Sequence, residues 1–264
     1  MSTLVEHIDT PDGRFRVALD GPARAPAVVL SNSLGTTLEM WDPVVPRLAE
    51  QRRVIRYDTR GHGSAPDGAG PCTLARLGQD VVHLLDALDI AQADFCGISM
   101  GGLTGLWLGV HAAPRIRRLV VANSAARIGT LQGWQDRAAL ARTQGLTTIA
   151  TSSPSRWFTP GFLDAHPDRV QVLQQTLAGL SPQGYAACCD ALAQADLREE
   201  IDRIACPVLL LAGRHDPVTT VGDAQFMAER IPGAELQALE ASHLSSVEVP
   251  DAFLAALLPF LQQA

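Results

Sequence analysis

Residues Ala93 to Val110 constrain this chain more than any other stretch. A short apolar run, Ala93 to Cys96, leads into Gly97-Ile98-Ser99-Met100-Gly101-Gly102, and an apolar segment with helical spacing, Leu103 to Val110, follows at once. A strand passes into a helix over so few residues only through a very sharp turn. Ser99 then sits at the apex in strained backbone, its hydroxyl projecting from the sheet edge. Its neighbours two positions away on either side must lack bulk so that strand and helix can approach. Gly-x-Ser-x-Gly is weak evidence by itself, arising by chance in roughly one chain in ten of this length. Context decides its meaning.

Strand and helix signals alternate on both sides of that turn. Leu4 to Asp9 and Arg14 to Leu19 read as strands joined by Thr10-Pro11-Asp12-Gly13, a hairpin turn. Ala27 to Leu30, Val54 to Asp58, Ala93 to Cys96 and Arg118 to Asn123 are the apolar runs of buried parallel strands. Met40 to Glu50, Leu74 to Leu88 and Leu103 to His111 read as helices between them. From Ser124 to about Gln194 the alternation stops, and helical spacing with scattered aromatics and five arginines takes over. It resumes with strands Val208 to Ala212 and Ala234 to Leu239 and helices Ala224 to Arg230 and Ala252 to Leu261. The pattern predicts an α/β fold: a mostly parallel, doubly wound sheet with an N-terminal antiparallel hairpin. Residues 1–124 and 195–264 would form the core, and 125–194 an inserted helical lid.

Composition narrows the function. At 264 residues the chain can bury a large core, and 47% hydrophobic with 19% charged residues excludes a disordered chain. All 21 residues in the Lys+Arg count are arginine, and the net charge of −7 gives no footprint for nucleic acid. No apolar run approaches the roughly 20 residues of a membrane span. Met1 to His7 has neither a basic start nor an apolar centre, so no signal peptide is expected. Cys72, Cys96, Cys188, Cys189 and Cys206 follow no zinc or CxxC spacing. They read as small apolar residues in a reducing compartment, and the cytoplasm is the expected location.

A serine hydroxyl is a poor nucleophile without a general base, and the base needs a partner that fixes its tautomer. In a doubly wound sheet such groups gather beyond the carboxyl ends of the strands. Val208 to Ala212 runs into Gly213-Arg214-His215-Asp216, and Leu236 to Leu239 runs into Glu240-Ala241-Ser242-His243. The order Ser99, Asp216, His243 therefore follows successive strand ends and predicts a catalytic triad. His215 adjoins the acid and reads as structural; His62, in Arg60-Gly61-His62-Gly63, reads as a residue that holds a turn near the site. Acyl transfer also needs two N–H donors for the developing oxyanion. Met100, following the nucleophile at a helix N-terminus, and Leu34, in the loop after Leu30, are the candidates.

The elbow, the placement of acid and histidine, and the Arg60-to-Ser64 turn resemble the α/β-hydrolase superfamily over essentially the whole chain. Four segments are similar to the 3-oxoadipate enol-lactonases of aromatic catabolism: Ser31 to Thr36, Arg56 to Gly63, Arg156 to Pro160 and Gly184 to Cys189. Most relatives carry His-Gly where this chain has Asn32-Ser33. The resemblance implies a carboxylic ester hydrolase that opens an enol-lactone ring through an acyl-enzyme, with a small carboxylate-bearing lactone as substrate and no metal or organic cofactor. Asn32, Ser33 and Trp134 are the expected substrate contacts. Arg127, Arg137, Arg142 and Arg156 are open alternatives for the carboxylate. Other hydrolases or perhydrolases of the same scaffold, or a non-catalytic binding protein, share the triad and stay open at this point.

Overall fold

The computed structural model describes residues 3–67 and 71–263. Met1 and Ser2 of the N-terminal stretch read above, residues 68–70 and Ala264 lie outside them. Eight strands make one sheet: β1 Leu4–Thr10, β2 Gly13–Asp20, β3 Ala27–Ser31, β4 Arg53–Tyr57, β5 Ala93–Ile98, β6 Ile116–Ala122, β7 Val208–Gly213 and β8 Glu235–Leu239. Their spatial order is β1-β2-β4-β3-β5-β6-β7-β8. β1 pairs with β2, and β2 with β4, antiparallel; the remaining neighbours are parallel. The expected doubly wound sheet with a hairpin at one edge is what forms. Every residue of β3, β5 and β7 is buried, which is why these strands read as unbroken apolar runs. β1, at the edge, keeps alternating exposed positions.

The helices are α1 Val45–Leu48, α2 Leu74–Ala87, α3 Met100–His111, then six in succession: α4 Leu131–Gln144, α5 Thr147–Ser152, α6 Pro154–Trp157, α7 Pro160–Ala165, α8 Pro167–Ala178 and α9 Pro182–Gln194. α10 Val221–Arg230, α11 Ser245–Glu248 and α12 Pro250–Gln262 complete the chain. α2 starts where the Thr73 side chain accepts from the Arg76 N–H, and it buries Leu77, Val81, Leu84 and Leu85. α3 is apolar on nearly every side because it packs against β5, β6 and α2 at once. The helix expected over Met40 to Glu50 is corrected: a single 3-10 turn spans Leu38–Trp41, and α1 has only four residues. Pro43 and Pro46 remove two N–H donors there, and Pro46 is tolerated because it falls in the first turn of α1.

Three of the four buried arginines find acids, while Arg118 donates to the Gln263 carbonyl instead. Arg56 meets Asp20 at 2.9 Å, Arg52 meets Asp94 at 3.1 Å, and Arg60 holds Asp80 through both oxygens at 2.8 and 2.5 Å. Among the described residues no helix is long and apolar enough to cross a membrane.

Candidate active site

Ser99 stands between β5 and α3 with φ 57° and ψ −117°, a conformation L-residues rarely adopt. The turn closes because its flanks are glycine. A Cβ on Gly97 would sit 2.2 Å from the Gly101 carbonyl carbon, and one on Gly101 would sit 2.2 Å from the Ser31 oxygen. Backbone bonds hold the apex in place: Ser99 N–H donates to Ala122 O at 3.0 Å, and Gly101 N–H donates to Asn32 O at 3.1 Å.

The carboxyl ends of β7 and β8 bring the acid and the histidine together, as their placement in the chain predicts. His243 Nδ1 lies 2.7 Å from Asp216 Oδ2, and both side chains are almost wholly buried. Asp216 is held from several directions. Its Oδ1 accepts from the N–H groups of Val218 (2.8 Å) and Thr219 (3.1 Å), and its Oδ2 also accepts from Thr219 Oγ1 (2.8 Å). Burial pushes this carboxyl up, but the His243 charge and hydrogen bond and the two N–H donors outweigh it and hold it below its ordinary value. An anchored carboxylate on Nδ1 leaves the His243 Nε2 free to act as base.

Ser99 and His243 line one small cavity of about 90 Å³, together with Ser33, Leu34, Trp134, Arg137, Arg156, Trp157, Tyr185 and Val218. A larger groove of about 440 Å³, lined by Thr37, Met40, Val172 and Val247, includes none of the candidate catalytic side chains. The loop after β3 presents three successive N–H groups with different fates. Ser33 donates to Met40 Sδ at 3.4 Å and Gly35 donates to His62 Nε2 at 2.8 Å. Among the described residues neither the Leu34 N–H between them nor the Met100 N–H is hydrogen-bonded within the protein, and Leu34 is the one of the three facing the cavity unengaged. His62 is thus a turn-holding residue. Its Nδ1 faces Arg60 O at 3.1 Å, and burial lowers its pKa to about 4, keeping Nε2 an acceptor.

Asn32 is a correction. It is fully buried, its Nδ2 donates to Tyr57 O (2.8 Å), its Oδ1 accepts from Trp41 Nε1 (3.0 Å), and it does not line the cavity. Both ends of its amide are committed to the fold. Ser33 and Trp134 do line the cavity, but Trp134 Nε1 donates to Ile128 O at 2.6 Å, so this indole is a wall and not a free donor.

The cap arginines divide cleanly. Arg127 pairs with Asp196 and Arg142 with Asp190, both toward solvent. Arg137 and Arg156 are half-buried, and among the described residues neither forms an ion pair. Arg137 Nε donates to the Tyr185 hydroxyl at 2.6 Å and its guanidinium lies over the Trp134 and Tyr185 rings. Arg156 donates to Ser153 Oγ at 2.9 Å. Burial first, and then the adjacent Arg137 charge, lowers the Arg156 pKa, while burial pushes the Tyr185 hydroxyl up to about 12. The cavity therefore carries concentrated positive charge. Tyr185 and Trp157 were within reach of sequence reasoning, since both lie in the two cap segments that carry the resemblance. Nothing local marks which arginines point inward.

Comparison with known proteins agrees with this geometry. A family model described as alpha/beta hydrolase fold matches residues 26–250. Two curated proteins of Acinetobacter baylyi, named 3-oxoadipate enol-lactonase 2 and 3-oxoadipate enol-lactonase 1, are 52% and 48% identical to this chain. Those matches span 92% and 90% of this chain and 91% and 89% of the relatives. The crystal structure of the enol-lactonase from Burkholderia xenovorans superposes with a TM-score of 0.96 at 41% identity, over 98% of this chain and 100% of that one. By sequence, topology and the arrangement at the strand ends, this chain belongs to the α/β-hydrolase family, in the company of the 3-oxoadipate enol-lactonases.

Proposed function

We propose that this protein is a serine hydrolase that opens the lactone ring of 3-oxoadipate enol-lactone to give 3-oxoadipate. The observation that carries the reading is a single small cavity holding Ser99, His243 and two half-buried arginines that form no ion pair among the described residues. Ester chemistry accounts for the first pair and a substrate carboxylate for the second. The identity to two curated enol-lactonases supports the same substrate.

In this reading His243 Nε2 takes the Ser99 proton as Oγ attacks the lactone carbonyl. The charge that develops on the carbonyl oxygen is met by the Leu34 and Met100 N–H groups, and a donor of this kind is worth about 10²–10³ in rate. The ring C–O bond then breaks. The departing enol oxygen takes the proton from His243, and tautomerisation makes it a ketone. An enolate leaves more readily than an alkoxide, so proton delivery at this step is undemanding. Water, deprotonated by His243, next attacks the acyl-enzyme, releases the new carboxylate and restores the Ser99 hydroxyl. Asp216 stays ionised throughout and keeps the imidazole in its tautomer.

Arg137 and Arg156 face the acetate carboxylate of the substrate. A buried carboxylate without partners is costly, and guanidinium groups meet it with charge-assisted bonds. Ser33, Trp134 and Tyr185 complete the walls. The six helices over 125–194 form the lid that supplies all of these groups except Ser33, set on a core of 1–124 and 195–264.

The test is turnover of freshly generated enol lactone beside p-nitrophenyl acetate, by the parent and by Ser99→Ala. The lactone should be preferred by orders of magnitude and Ser99→Ala should be inert. Comparable turnover of the simple ester would make this a general esterase, and lactone turnover surviving in Ser99→Ala would end the serine mechanism.

A further inference from the structure

The geometry points to the carboxyl end of β6, Asn123 with Ser124, as a brace that fastens nucleophile, acid and base together, with Asn123 as a positioning residue for the acid–base pair. This rests on the reading of Ser99, Asp216 and His243 as the catalytic set.

Asn123 is buried and has φ 45°, a positive φ such as Ser99 also shows. Asparagine enters that region more readily than most residues, commonly by bonding to its own neighbourhood. Here its side chain bonds across the rim of the sheet instead. Nδ2 donates to Asp216 Oδ2 at 3.1 Å and to Ser242 O at 3.0 Å, and Oδ1 accepts from Ser245 Oγ at 2.5 Å. Two acceptors about the nitrogen settle which way the amide faces. One amide therefore holds the acid, the residue before His243 and the residue two after it. Asp216 Oδ2 is also the oxygen that faces His243 Nδ1, so the amide and the imidazole share it.

The backbone at the same place engages the nucleophile. Ala122 O accepts from Ser99 N–H at 3.0 Å, and Ser124 Oγ donates to Ser99 O at 2.7 Å. Asn123 N–H donates to Leu211 O on β7 at 2.7 Å. The close approach requires Gly213, where a Cβ would lie 2.5 Å from Ser242 O and 2.8 Å from Asn123 Nδ2. Asn123 is uncharged, so it orders the carboxylate without neutralising it.

Other charged or titratable groups surround the pair. Across the cavity stand Arg137, Arg156 and Tyr185. Behind the histidine loop Glu248 accepts from Ser242 N–H at 2.7 Å. Outside, Arg214 and His215 face Glu240. The Asn123 side chain bonds to none of these groups, so a shift in pH dependence on its replacement is read through Asp216 and the histidine loop.

Asn123→Asp keeps the shape and the backbone preference but sets a second carboxyl beside Asp216, and two carboxyls so placed do not ionise independently. The kcat/KM profile should move by at least about half a pH unit relative to the parent, with KM within about threefold. Asn123→Ala should lower kcat on the order of 10–100-fold with the same small change in KM, as expected when reacting groups are misplaced slightly. A superimposable profile in folded Asn123→Asp, or parental kcat in folded Asn123→Ala, overturns the brace. Where neither variant folds, Ser245→Ala frees the amide oxygen without adding charge; a several-fold loss in kcat at constant KM supports the brace, and parental kcat overturns it. Ser99→Ala assayed alongside keeps the two ideas apart, because turnover surviving there removes the catalytic reading itself.

Discussion

Arg52, Arg56 and Arg60, packed against the sheet, each face an aspartate of the same chain, whereas Arg137 and Arg156, above its carboxyl edge, face none among the described residues. The first three are buried and the other two half-buried, and the chain has no lysine to substitute for them. Arg52, Arg56 and Arg60 carry out structural work, and their counter-charge is built in and permanent. The two in the cap cavity are held by neutral groups, a tyrosine hydroxyl and a serine hydroxyl, which orient them without cancelling their charge. An uncompensated buried charge is unfavourable until something pairs with it. Under the proposed function, the difference separates these three cations, which the fold requires, from two kept for the substrate carboxylate.

The comparison breaks most visibly at Asp80. Arg60 and Asp80 are only 3% and 1% exposed, and Asp80→Ala would strand the guanidinium. The expected loss is about 3–5 kcal/mol, a fall in Tm of about 6–20 °C. Thermal denaturation checks it, and a Tm within a degree or two of the parent would mean that pairing is not what keeps sheet arginines buried.

A third solution to the same problem is to shed the proton, and His62 uses it. Its pKa is lowered to about 4 from 6.5, so as pH falls through 6.5 the unfolded chain takes up a proton that the folded chain refuses until about 4. Stability from this group is therefore present above 6.5 and is lost between 6.5 and 4, by on the order of 3 kcal/mol in full. Gln at position 62 can still accept from the Gly35 N–H but cannot titrate. Chemical denaturation at pH 7 and 4.5 should show a smaller acid loss in His62→Gln than in the parent, and equal losses would remove His62 from the account.

How much of this was legible before any coordinates follows the range of the interactions. The elbow was, because Gly97, Ser99 and Gly101 are local and their spacing has one geometric solution. Asp216 and His243 were, because strand ends in a doubly wound sheet share an edge. Asn32 misled, since the two groups that consume its amide, Tyr57 O and Trp41 Nε1, lie 25 and nine residues away. Asn123 gave no signal for the same reason: its partners Asp216 and Ser242 come 93 and 119 residues later. Four cap arginines looked alike because an arginine's role is set by whether an acid arrives beside it, and Asp196 and Asp190 arrive from elsewhere in the chain.

The cap pair should respond in the opposite sense to Asp80. Arg156→Gln removes a charge that burial and Arg137 already disfavour, so Tm should stay level or rise slightly. Its effect should appear in KM for the enol lactone, up by about 10–100-fold, or about 1.4–2.8 kcal/mol, for loss of a charge-assisted contact. KM for an uncharged ester should barely move. A rise shared by both substrates would mean a damaged cavity, not a lost anion contact.

The smallest effect sharpens the contrast from the ligand side. If the cavity lacks only an anion, the product 3-oxoadipate should provide one and stabilise the parent. At a concentration near ten times Kd the gain is about 1.4 kcal/mol, or about 3–6 °C in Tm. Arg156→Gln should lose most of that shift. Asp80→Ala should keep its own shift undiminished from its lower starting Tm, because the anion reaches the cavity and not the sealed space beside Arg60. Differential scanning fluorimetry reads all three, and an equal shift in the parent and Arg156→Gln would mean that this arginine does not hold the carboxylate.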